Sequence, residues 1–180
     1  IEEHQEHLFL AMAYYRGHSL TSKIKDGLEL ADALGIFKDL LTGFQYAHEQ
    51  GVIHHDIKAD NIFITENGTV KILDFGLARL PDSNLTQAGQ MMGTPSYMSP
   101  EQFKGEAVDA RSDIWSLGVL LFYMLTGDLP FEGKFPQIIQ LILKDDPRPL
   151  TQWLEQPELQ TIIERCLAKD KQERFDSCAN

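Results

Sequence analysis

Apolar residues recur every three or four positions across residues 34–49. Leu34, Phe37, Leu40, Leu41, Phe44 and Ala47 would share one face, which predicts an amphipathic helix with Gly51 as its stop. Before it the pattern is different. Residues 7–15 alternate loosely and are rich in aromatic side chains, and Gly17 follows, so a strand leaving into a connector is expected. Two short runs, 61–65 and 69–73, flank Glu66-Asn67-Gly68, and that Asn-Gly pair predicts a hairpin. From 78 to 100 periodicity fades into Pro, Ser, Thr, Gln and Gly. A loop of that length is rare in a compact domain without a functional reason. Residues 114–126 are apolar almost all round and predict a core helix, with further helices near 136–144 and 158–169. The expected architecture is α+β: a short β-ribbon among helices and an all-helical second half. No internal repeat or low-complexity tract changes that picture.

Composition narrows the function classes. The 180 residues, 43% hydrophobic and 24% charged, suffice for one core. Sixteen Lys and Arg stand against 27 Asp and Glu, a formal charge of −11 that repels phosphate backbones and anionic lipid, so neither nucleic acid nor a membrane surface is an expected partner. The longest apolar run, 114–125, falls short of the roughly 20 residues a bilayer requires. Cys166 and Cys178 have no CxxC spacing, and the adjacent His54 and His55 lack the i, i+4 spacing of a helical metal pair. A reducing, cytoplasmic setting is therefore expected, with no zinc site.

The chemistry is concentrated in Val52-Ile53-His54-His55-Asp56-Ile57-Lys58-Ala59-Asp60-Asn61, an apolar lead-in followed by an acid, a base and an amide. Taken alone, it could be a solvated loop. Two further signatures follow in order: Asp74-Phe75-Gly76 ends the ribbon, and Gly93-Thr94-Pro95-Ser96-Tyr97-Met98-Ser99-Pro100-Glu101 closes the long loop.

With these residues the sequence resembles the protein kinase family. His54-His55-Asp56 with Lys58 and Asn61 is similar to the catalytic loop, Asp74-Phe75-Gly76 to the metal-binding triplet, and Ser99-Pro100-Glu101 to the closing Ala-Pro-Glu. Residues 113–118 resemble the central helix and Arg174 its late buried arginine. The resemblance implies a partial kinase domain over 1–180, with 1–17 as the last small-lobe strand and hinge and 18–180 as the helical C-terminal lobe. Both ends read as cut.

The implied reaction is phosphoryl transfer from Mg-ATP to Ser or Thr of a protein substrate, in which the protein positions the nucleophile and neutralises charge. Asp56 would accept or orient the hydroxyl proton, Lys58 would face the transferred phosphate, and Asn61 and Asp74 would offer oxygen ligands to Mg²⁺. Thr94 would bond to Asp56 and Lys58. Asp-x-Lys-x-x-Asn and Gly-Thr-Pro-x-Tyr favour Ser/Thr over Tyr acceptors. Met12 would sit at the back of the adenine pocket, the backbones of Ala13 and Tyr15 would meet the adenine edge, and Phe63 would floor the base.

Other residues of the motifs are expected to be scaffold: His54 stacked beneath Phe75, Glu101 paired with Arg174, and Asp113 holding the catalytic loop from below. The sequence departs from the pattern at His55, where most kinases carry Arg, so phosphorylation of Ser83 or Thr86 is expected to modulate activity little. Nothing matches the Gly-rich loop, the strand lysine or the helix glutamate, and the piece alone is expected to be inactive. A binding module of pseudokinase type is the second reading, and a small-molecule kinase a weaker third.

Overall fold

A computed structural model of the chain describes residues 2–4 and 7–9 as backbone, and residues 13–75, 95–151 and 156–179 in full. Met12, Gly76, Ser83, Thr86, Gly93 and Thr94 lie outside the described residues, and so does most of the long loop.

Strands β1 (Glu2–His4) and β2 (His7–Phe9) pair antiparallel as a two-stranded hairpin, with Glu2 opposite Phe9. The expected strand over 7–15 does not extend to its far end, because residues 13–16 are exposed and carry no regular structure. Gly17, expected to end a strand, begins one. Strand β3 (Gly17–Ser19) pairs antiparallel with β4 (Ile62–Thr65), which pairs with β5 (Val70–Ile72), so the ribbon has three strands where two were expected. The close approach at Gly17 is the reason for its residue type. A Cβ there would lie 2.1 Å from the Ile64 carbonyl oxygen, so no side chain fits against β4. The β4–β5 turn forms as the Asn-Gly signal predicts: Gly68 N–H donates to Thr65 O at 2.8 Å, and Thr65 N–H to Thr69 O at 3.0 Å.

Helix α1 (Leu20–Lys25) starts at once after β3, capped by Ser19 Oγ accepting from Ser22 N–H. Its six residues are too few for periodicity to reveal. Helix α2 (Leu30–Glu49) begins four residues before the predicted start and buries Ala33, Phe37, Leu40, Phe44 and Ala47. Phe37, Leu40, Phe44 and Ala47 are buried as expected, and the stripe departs from the expected one at its start, where Ala33 is fully buried while Leu34 is 38% exposed. Helix α3 (Pro100–Lys104) was hidden at the end of the long loop. Ser99 N–H donates to Gln102 Oε1 at 2.8 Å, a side-chain cap that fixes the first turn after Pro100.

Helix α4 (Ala110–Thr126) also starts before its apolar run, because the Asp109 carboxylate accepts from Arg111 N–H at 2.9 Å. It is the central element, and Ile114, Trp115, Leu117, Val119, Leu120, Phe122 and Leu125 are all buried on it. Phe131 stacks on Trp115, with ring centroids 5.7 Å apart and planes inclined by 3°. Helices α5 (Gln137–Lys144) and α6 (Pro157–Cys166) complete the layer. Helix α6 stops short of the predicted 169, where the freed Ala168 carbonyl accepts from Arg174 Nε at 2.9 Å. The outcome is a mainly α-helical body with a small antiparallel ribbon along one edge, in agreement with the fold class expected.

Candidate active site

The catalytic-loop sequence spans the chain between the end of α2 and β4. Its last residues, Ala59–Asn61, form a 3-10 turn that buries Ala59 and Asn61. Asp56 is the centre of the cluster. Lys58 Nζ donates to Asp56 Oδ2 at 2.7 Å, and Asn61 Nδ2 donates to the same oxygen at 3.1 Å and to the Asp56 carbonyl at 2.8 Å. Both side chains of the Lys58–Asp56 pair keep partial contact with solvent, 20% and 28% respectively. Because the Asn61 amide nitrogen is committed to Asp56, Oδ1 is the atom Asn61 has left to offer a cation.

Asp74 arrives from the other strand of the hairpin. Leu73 N–H donates to Asn61 O at 2.8 Å, which brings the end of β5 alongside Asn61 and places Asp74 one residue on, exposed. Its φ of 58° is left-handed, as is the 69° of His55, and these are the two positive-φ residues other than glycine among the described residues. Such backbone costs of order 1–3 kcal/mol and persists where surroundings impose it. At His55 they do: N–H donates to Asp113 Oδ1 at 3.0 Å, and the carbonyl accepts from Gln102 Nε2 at 3.3 Å.

Asp113 holds the loop from below through main-chain bonds. Its second oxygen accepts from His54 N–H at 2.9 Å, and His48 Nε2 lies 2.8 Å from the same Oδ2. The roles of His48 and Gln102 were not read from the sequence. Their partners are backbone or distant in the chain, so no local spacing signals them. His54 is packed rather than catalytic in position. Its ring meets Phe75 edge-on at 4.8 Å and Phe44 at 5.8 Å, and Nε2 lies 2.9 Å from the Leu73 carbonyl oxygen.

Glu101 and Arg174 form the expected buried pair, with Arg174 Nη1 2.7 Å from Glu101 Oε1 and Nη2 2.9 Å from Oε2. Ser112 Oγ donates to Oε1 at 2.7 Å. Burial alone would raise the Glu101 carboxyl, but the Arg174 and Ser112 hydrogen bonds and the Arg174 charge outweigh it and hold the group at about 2.

On the adenine side, Ala13 and Tyr15 are exposed just before β3, where Glu66 N–H donates to Arg16 O at 2.9 Å. Phe63 is half-buried and lies between the buried Ile62 and Ile64, so it projects to the face of the ribbon opposite the core. Met12 and Thr94 lie outside the described residues. Among the described residues, no group of three or more His, Cys, Asp and Glu side chains is placed to hold a metal ion. Asn61 and Asp74 nevertheless supply hard oxygen donors of the kind Mg²⁺ takes, one or two protein groups being enough where phosphate oxygens complete the shell.

The family model described as protein kinase domain matches residues 1–179. The chain belongs to the protein kinase family. This kinase domain is 37% identical over 179 residues to the serine/threonine-protein kinase PknB of Mycolicibacterium smegmatis, covering 95% of this chain and 29% of that protein. It is 37% identical over 180 residues to the serine/threonine-protein kinase Pkn1 of Myxococcus xanthus, covering 95% of this chain and 26% of that protein. A probable serine/threonine-protein kinase of Streptomyces coelicolor is 37% identical over 177 residues, 94% of this chain and 26% of its own. The kinase domain thus spans less than a third of the length of these curated relatives. Among the described residues, no helix is long and apolar enough to cross a membrane.

Proposed function

We propose that this chain carries the catalytic lobe of a protein serine/threonine kinase, transferring the terminal phosphoryl group of ATP to Ser or Thr hydroxyls of a protein substrate. The observation that carries the reading is the cluster on one loop, where Lys58 Nζ and Asn61 Nδ2 both donate to Asp56 Oδ2, at 2.7 and 3.1 Å. A scaffold has no use for a carboxylate and an ammonium held partly open to solvent over a buried amide.

Asp56 has an acceptor to orient the substrate hydroxyl and take its proton. Lys58 is a mobile point charge, paired with Asp56 and able to move to an incoming phosphate. Asn61 Oδ1 and the Asp74 carboxylate would hold Mg²⁺. Bound there, the ion supplies neutralisation of phosphate charge. The exposed backbone of Ala13 and Tyr15, with Met12, would line the adenine edge, Phe63 would floor it, and Thr94 would brace Asp56 and Lys58. Residues 1–17, with the β1–β2 hairpin, would supply the end of the small lobe and the hinge, and 18–180 the helical lobe.

The test uses the full protein, Mg-ATP and a mixture of Ser-, Thr- and Tyr-containing peptides. Phosphoserine or phosphothreonine formed only with Mg²⁺ is expected. Nucleotide binding without transfer to any peptide would overturn the reading in favour of a pseudokinase module.

A further inference from the structure

Asp113 joins the helical core to the catalytic loop by accepting from the amides of His54 and His55 at 2.9 and 3.0 Å. Both Asp113 oxygens are thus acceptors, in a site 1% exposed. The proton in its third contact, 2.8 Å to His48, therefore sits on His48 Nε2. In the neutral ring this leaves Nδ1 as an acceptor on the far side. The group that faces it is Cys178 Sγ, at 3.8 Å, delivered by the segment that follows Arg174.

Cys178 lines an apolar cavity of about 180 Å³ between α2, α4 and α6, with Phe37, Leu117, Leu159 and Cys166 among its walls. Burial there, with the Asp113 charge nearby, pushes its thiol up to about 12. The S–H is thus kept as a weak donor and is a poor nucleophile. A continuous path results: thiol to imidazole, imidazole to carboxylate, carboxylate to the two loop amides before Asp56.

We propose that Cys178 is a positioning residue for the catalytic loop, its S–H occupying His48 Nδ1 so that the ring, protonated at Nε2 towards Asp113, stays bare at Nδ1 and holds Asp113 beneath His54 and His55. The inference rests on the kinase reading for its effect on rate, but its tautomer claim stands apart from activity. A half-buried cysteine that only packs would be replaced by alanine with a modest stability loss and no change at His48.

The experiment is a nitrogen-15 correlation spectrum of histidine-labelled full protein, paired with peptide phosphorylation kinetics. In the wild type the expected result is a His48 ring protonated at Nε2 and bare at Nδ1. Cys178→Ala is expected to let the ring take a proton at Nδ1 and to lower kcat roughly threefold with the KM for ATP unchanged, the size of one weak neutral hydrogen bond. Cys178→Ser, which keeps a donor, is expected to retain the tautomer and most of kcat. A wild-type ring protonated at Nδ1, alone or with Nε2, would overturn the proposal, as would a Cys178→Ala protein with unchanged tautomer and kcat. If the alanine protein does not fold, the wild-type spectrum decides. If the wild type transfers no phosphate, the kinase reading fails while the spectrum still decides the role of Cys178.

Discussion

Two acid–base pairs in this chain are similar in length and opposite in setting. Glu101 and Arg174 meet 2.7 Å apart with side chains 3% and 0% exposed, in a two-pronged contact. Arg174 also donates to the carbonyls of Ala168 and Arg111, and lies over the Trp115 ring at 5.0 Å. Asp56 and Lys58 also meet at 2.7 Å, through one contact and 28% and 20% exposed. The buried pair has every prong occupied by the protein and ties α3 to the segment after α6, with Ser112 and the Arg111 carbonyl joining the start of α4 to it. The open pair leaves Lys58 with hydrogen-bonding capacity for something else. Exposure and saturation, rather than distance, separate a tie from a tool.

The largest effect that would sharpen this contrast is on transfer. Replacing Asp56 by Asn in the full protein is expected to lower kcat by about 10²–10⁴, read from initial rates of peptide phosphorylation. A loss below about tenfold would break the functional half of the comparison. Next in size is Arg174→Ala, which strands a buried carboxylate and is expected to cost about 3–5 kcal/mol in urea unfolding. A cost below about 1 kcal/mol would place Arg174 with the surface pairs.

The pH dependence of that tie follows from its sign. Glu101 is held at about 2 in the folded protein against an ordinary 4.5. Its contribution is therefore fully present above about 4.5 and is lost as pH falls towards about 2. The urea midpoint of the wild type should thus fall more steeply with acidification through this window than that of Glu101→Gln. Parallel curves would remove Glu101 from the account.

Lys169 offers the smallest effect. Burial lowers its amine to about 8, and it lies 4.2 Å over the Phe131 ring and 5.2 Å over that of Trp115. A cation desolvated on two rings can be exchanged for an apolar chain at little cost, so Lys169→Met should change unfolding free energy by less than about 1 kcal/mol.

What was legible in the sequence follows the same division. The residues of the open cluster lie close together on one loop, and the order of three motifs with the resemblance it carries points to Asp56, Lys58 and Asn61, which their spacing alone does not separate from a solvated loop. The pairing of Glu101 with Arg174 came from resemblance alone, since nothing local links positions 73 apart. His48 beside Asp113 and Gln102 beside His55 were missed for that reason. Helices α1 and α3, of six and five residues, were missed because a cap starts each one and no apolar stripe marks it. The stripe of α2 keeps its expected phase through Phe37, Leu40, Phe44 and Ala47 and differs at its first position. Leu34 is the more hydrophobic residue, yet the packing takes the smaller Ala33 inward.

The most direct test of the contrast is the unfolding of Asp56→Asn and Arg174→Ala side by side in urea, each beside the wild type. The account predicts that the Asp56→Asn protein unfolds within about 0.5–1 kcal/mol of the wild type despite its lost activity, while the Arg174→Ala protein falls by about 3–5 kcal/mol. Comparable losses in the two would contradict it, because the open pair would then be holding the fold as the buried one does.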